Sequence, residues 1–79
     1  MEIIAIKATD RGWVAVVDGP EIPELAINDR LGVPPEAGDG RYRARLRVLR
    51  TGDFPVCHVT RVPGDVDAMG LVGEQVVRC

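Results

Sequence analysis

Arg41, Arg43, Arg45 and Arg47 alternate with Tyr42, Ala44, Leu46 and Val48. A β-strand sends successive side chains to opposite faces, so this spacing puts four guanidinium groups on one face and four apolar groups on the other. The arginines then stand ~6.5–7 Å apart along the strand. A guanidinium fork donates paired N–H groups to phosphate and carboxylate alike, so the chemistry on offer is anion recognition. Phosphates along a nucleic-acid strand recur at a broadly comparable spacing. Nucleic-acid surfaces usually add exposed aromatic rings for stacking. Here Tyr42 points away from the arginines, and Trp13 lies in an apolar run. Two plainer roles compete. Arginines on a sheet face can simply solvate it and discourage sheet-to-sheet association. They can also pair with Glu21, Glu24, Glu36 or Asp39, which lie in the acidic stretch that precedes them.

Cys57 and His58 are adjacent, which invites a nucleophile-and-base reading. On a strand, neighbours point to opposite faces, so the two side chains cannot meet there. Cys57 joins the apolar side and is expected to be inert. Cys79 matches no prenylation box and reads as a plain terminal thiol or, in an oxidising setting, a disulfide partner of Cys57 or of a second chain. One histidine and two scattered cysteines make no zinc site. Gly38-Asp39-Gly40 and Gly70-Leu71-Val72-Gly73 match neither a Rossmann fingerprint nor a P-loop and read as turns. Asp65 and Asp67 are not spaced like a catalytic pair or a calcium loop. No cofactor, metal or catalytic constellation is therefore expected.

These side chains need strands to hold them. Residues 41–50 form the clearest strand, and residues 54–62 the next, joined through Gly52-Asp53 as a two-residue hairpin loop. That loop sets Val48 opposite Cys57, Leu46 opposite Val59, Arg47 opposite His58 and Arg45 opposite Thr60. Apolar meets apolar and polar meets polar, whereas a one-residue slip would break the match. The expected binding surface is thus Arg41, Arg43, Arg45, Arg47, His58 and Thr60. Pro55 cannot donate to the ladder and belongs near the hairpin end or on an edge.

Residues 3–8 are apolar apart from Lys7 and read as a strand buried on both faces or nearly so. Asp10-Arg11-Gly12 supplies a turn, and residues 13–17 form a central strand paired back on the first. Residues 20–40 hold four prolines and the Gly38-Asp39-Gly40 punctuation. They read as irregular structure with a helical turn over 23–31; the alternative is a short strand at 25–27 followed by an Asn28-Asp29 turn. Residues 66–71 suit another helical turn, and residues 74–78 a last short strand.

At 79 residues the chain suffices for one domain, spanning 1–79. Such a domain can hardly spare core volume for a deep pocket, which favours a flat or grooved binding surface. Net charge is −2, but charge is segregated: 8–39 hold seven acids and two arginines, 40–61 six arginines and one acid. The apolar run at 13–17 is far too short to span a bilayer, and 2–8 lack a signal peptide's basic start. A reduced, cytoplasmic setting is expected. The expected fold is mostly β: a small five-stranded barrel or roll, SH3-like or OB-like, with one long connection at 20–40. The competing architecture is a three- or four-stranded sheet that completes its core across a dimer. The expected function is a non-catalytic interaction module (a subunit, accessory or assembly protein) acting through a protein partner or self-association. The alternative is a nucleic-acid binder using the arginine-lined strand.

Overall fold

The computed structural model describes residues 1–20, 24–34, 43–62 and 68–78. It is mostly β, with six antiparallel strands in one sheet among the described residues. They are β1 (Glu2–Thr9), β2 (Gly12–Asp18), β3 (Arg30–Val33), β4 (Ala44–Arg50), β5 (Val56–Arg61) and β6 (Val77–Arg78). One 3-10 turn, Ala68–Leu71, precedes β6. The sheet order is β1-β2-β5-β4-β3-β6. Five strands were expected; the sixth is β3, which lies inside the stretch expected to be irregular or helical.

The reason β3 forms is local. Asn28 takes a left-handed backbone conformation, φ 73°, which asparagine tolerates better than most residues. The Asp29 carboxylate accepts the Ala26 N–H at 2.8 Å, tightening the turn. The Asn28 N–H donates to the Val48 carbonyl at 2.8 Å, and the Val48 N–H donates to the Asp29 carbonyl at 2.9 Å. The chain leaves this turn already docked on β4. Leu31 and Val33 then face the core, against Leu46 and Ala44. The strand follows the Asn28-Asp29 turn instead of preceding it.

The core is aliphatic. Ile3, Ala15, Val17, Leu31, Val33, Ala44, Leu46, Val48, Cys57, Leu71 and Val76 are all buried, and no buried polar side chain occurs among the described residues. Each fully buried Val, Leu or Ile contributes about 1.5–3 kcal/mol relative to exposure. β2 and β5 are each hydrogen-bonded on both sides, so β2 is central as expected. β1 is not buried on both faces: only Ile3 and Ile6 are buried. A bulge explains their spacing. Ile3 pairs with Val17 but Ala5 pairs with Val16, so Ile4 is an extra residue and the alternation inverts after it.

The β4–β5 register matches expectation at three pairs, Leu46 with Val59, Arg47 with His58, and Val48 with Cys57. It departs at both ends. Arg45 pairs with Arg61 instead of Thr60, and Arg50 pairs with Val56. The two-residue loop is replaced by the wider connection 51–55, and β5 starts at Val56, not at 54. Pro55 lies at the hairpin end, as its missing N–H requires, and its carbonyl accepts the Val17 N–H at 3.2 Å.

The sheet's two ends, β1 and β6, form no continuous ladder. They approach through residues 73–76. The Ile3 N–H donates to the Glu74 carbonyl at 3.0 Å, the Gly73 N–H to the Ile3 carbonyl at 2.7 Å, and the Val76 N–H to the Met1 carbonyl at 2.7 Å. A bridge joins Glu2 to Gln75. The strand expected over 74–78 is therefore split: its first half lies beside β1, and β6 lies beside β3. Ala68–Leu71, within the helical turn expected at 66–71, packs along β1; residues 63–67 lie outside the described residues. No helix among the described residues is long and apolar enough to cross a membrane.

Candidate anion-binding face

The solvent face of the sheet carries the basic residues in register across strands. Arg30 on β3 stands opposite Arg47 on β4, and Arg47 stands opposite His58 on β5. His58 stands opposite Val14 on β2, and Val14 opposite Lys7 on β1. A second row places Gly32, Arg45 and Arg61 side by side. The basic strip thus runs across the sheet, whereas the sequence spacing implied a strip along one strand. Adjacent strands lie ~4.7–4.9 Å apart, closer than the step along a strand.

Of the expected surface residues, Arg45, Arg47, His58 and Thr60 share this face. Arg41 lies outside the described residues. Arg43 precedes β4; its guanidinium donates to the Glu74 carboxylate and to the Pro34 carbonyl, the latter at 3.2 Å. That ion pair links β4's entry to the segment beside β1, so Arg43 serves the fold. Arg30 and Arg61 join the face, and strand alternation in 41–47 could not have found them. The signal for Arg30 was the Asn28-Asp29 turn, which starts a strand whose first residue faces solvent. Of the acids expected to mask the row, Glu21, Glu36 and Asp39 lie outside the described residues. Asp29 accepts a hydrogen bond from Arg78 at 3.3 Å, not from its neighbour Arg30.

Thr60 is the extra residue of a bulge, because Leu46 pairs with Val59 while Arg45 pairs with Arg61. The bulge puts Thr60 and Arg61 together on the exposed side, and Val62 returns to pack on the core. The Thr60 hydroxyl donates to the Arg45 carbonyl at 3.2 Å. Arg30, Leu31, Arg45, Leu46, Arg47 and Thr60 line a cleft of about 250 Å³. No carboxylate is among its walls as far as the described residues form them.

His58 is held by the β1–β2 turn. Its Nε2 lies 3.2 Å from the Arg11 carbonyl, which can only accept, so Nε2 carries a proton. A Cβ on Gly12 would lie 3.4 Å from that nitrogen, and Gly12 has φ +113°, a backbone that L side chains rarely adopt. The turn itself is tied by the Thr9 hydroxyl, which donates to the Gly12 carbonyl at 2.8 Å.

Cys57 lies on the opposite side of the sheet, between Ala15 and Val48, and is fully buried. Burial pushes its thiol up to about 11. The Cys-His neighbours thus face apart, as strand geometry requires. No cluster of three or more His, Cys, Asp or Glu occurs among the described residues. Cys79 lies outside them. No protein-family model, curated protein or solved structure matches this chain.

Proposed function

We propose that this protein is a non-catalytic interaction module whose open sheet face docks an acidic segment of a protein partner. One observation carries the reading: like charges are set directly opposite each other, Arg30 against Arg47 and Arg45 against Arg61. Such pairs destabilise a sheet, and an anionic occupant would relieve them. Next to the basic row runs an apolar one, Ala5, Val16 and Val56, in register across three strands. A partner segment mixing carboxylates with small apolar groups complements both rows. Nucleic acid is the weaker reading, because neither basic row contains a Phe, Tyr or Trp; Trp13 packs against the core, and Phe54, though exposed, lies outside the strands in the 51–55 connection.

The barrel expected at the outset is likewise a proposal. The hydrogen bonds from 73–76 to β1 support an SH3-like or OB-like roll drawn together at that seam.

The test is a fluorescence titration against a labelled Glu- and Val-rich peptide and against single-stranded DNA and RNA, at low and near-physiological salt. Peptide binding that weakens with salt and disappears in the Arg30→Ser/Arg45→Ser/Arg47→Ser variant is expected. All three residues are solvent-facing, so the variant should fold. Peptide binding that survives these changes, or no peptide binding at low salt, overturns the proposal. Preferential binding of DNA or RNA would transfer the face to nucleic acid.

A further inference from the structure

The docking face holds one place where the charges converge. Arg30 and Arg47 lie directly across the β3–β4 ladder, so their Cβ atoms sit ~4.5–5.5 Å apart. Arg45 is two residues from Arg47 on the same strand face, and Thr60 on β5 also lines the cleft there. Neither Arg30 nor Arg47 has an ion pair among the described residues. Gly32 opposite Arg45 sends no side chain across the ladder there.

We infer that this cleft is a phosphoryl subsite, and that the partner segment presents a phosphorylated side chain to Arg30 and Arg47. The inference rests on the docking reading above and adds the partner's chemistry. Two guanidinium groups set directly across one ladder, Arg30 and Arg47, exceed what a single carboxylate can balance. A phosphate monoester carries about −1.5 to −2 charge at pH 7 and three strong acceptor oxygens. Two forks, from Arg30 and Arg47, can each take two of those three oxygens, with one oxygen common to both. The cleft's volume of about 250 Å³ admits such a group with part of its side chain. Leu31 and Leu46, whose side chains are buried in the core on the other side of the sheet, leave only main chain to line the cleft between the arginines. The β5 bulge serves the same end, since it turns Thr60 outward beside the arginines.

The experiment compares three probes: a short peptide of alternating Val and Glu with a central phosphoserine, the same peptide with Glu in that place, and single-stranded DNA. Amide shifts in an NMR titration locate the contact. The phosphopeptide should bind about tenfold more tightly than its Glu counterpart, with the largest shifts at Arg30, Arg47 and Thr60. Arg30→Lys/Arg47→Lys, which keeps the charge and removes the forks, should abolish about tenfold of that affinity. The same variant should leave binding of the Glu peptide within about twofold. Equal affinity for the two peptides overturns the subsite and leaves the docking reading standing. If neither peptide binds, both fall. Tighter binding of DNA than of the phosphopeptide also overturns it, by assigning the phosphate to a nucleic-acid backbone.

Discussion

Arg47 and Cys57 show how differently neighbouring strand positions are used. Arg47 stands between Arg30 and His58 on the wet side, where its charge is opposed by nothing described. Cys57, one register step away, is sealed between Ala15 and Val48. Its thiol is held up at about 11 by burial, against an ordinary 9.0. The sign of the consequence follows from linkage. The folded state keeps this proton longer than the unfolded chain does, so the stability from this source is complete below pH 9 and is lost as pH rises toward 11. Denaturant melts of the native protein and of Cys57→Ala across pH 8–11 check it. The native protein should lose stability more steeply over that interval; parallel curves would show that the thiol is not buried as described. Alkylation of the folded protein at neutral pH should be slow for the same reason.

Three register shifts interrupt the ladders, at Ile4, Leu49 and Thr60, and two of them decide which side chains β1 and β5 present. In β1 the bulge at Ile4 brings Ile3 and Ile6 to one face although they are three apart. In β5 the bulge at Thr60 does the same for Val59 and Val62, and turns Thr60 and Arg61 outward. A sharp contrast between neighbours follows. Ile3 is fully buried, so Ile3→Ala should cost about 2–5 kcal/mol. Ile4 is 40% exposed, so Ile4→Thr should change stability by no more than about 0.5 kcal/mol. Urea melts of the two variants decide it, and comparable losses would mean that the β1 bulge is misplaced. The strand alternation in 41–47 needed no such correction within β4, because Ala44, Leu46 and Val48 are all buried and Arg45 and Arg47 exposed.

The whole molecule is held together at a seam that is not a full ladder. Residues 73–76 bond to β1 on one side, and β6 continues from them to bond β3 on the other. Val76 is buried there, and the Arg43–Glu74 pair spans from β4's entry to the same segment. That ion pair is about a third exposed at each partner, so it contributes little, below about 1 kcal/mol. Apolar burial of Val76 is the larger effect. Val76→Ala should cost about 2 kcal/mol and speed hydrogen exchange at the Ile3 amide, which donates to the Glu74 carbonyl. Exchange at Cys57 and Val59, in a strand paired on both sides, should remain the slowest. An Ile3 amide that already exchanges as fast as an exposed loop in the native protein would mean the seam is open.

Strand alternation, turn chemistry and charge order are local properties, and they were legible in the chain. The 41–47 pattern specified a half-buried strand, and apolar matching gave three of the pairs between β4 and β5 because a slip would have exposed Leu46 and Val48. The same logic separated Cys57 from His58. Alternation has no term for an inserted residue, so the bulges at Ile4 and Thr60, and with them Arg61's place on the face, could not be read. Four residues of β3 hidden in a proline-rich stretch carry too weak a period to stand out; β3 exists because Leu31 and Val33 find Leu46 and Ala44 across a long loop. The cleft depends on that long-range pairing. Arg30 comes to face Arg47 through hydrogen bonds between Asn28, Asp29 and Val48, groups whose distance along the chain says nothing of their meeting in space.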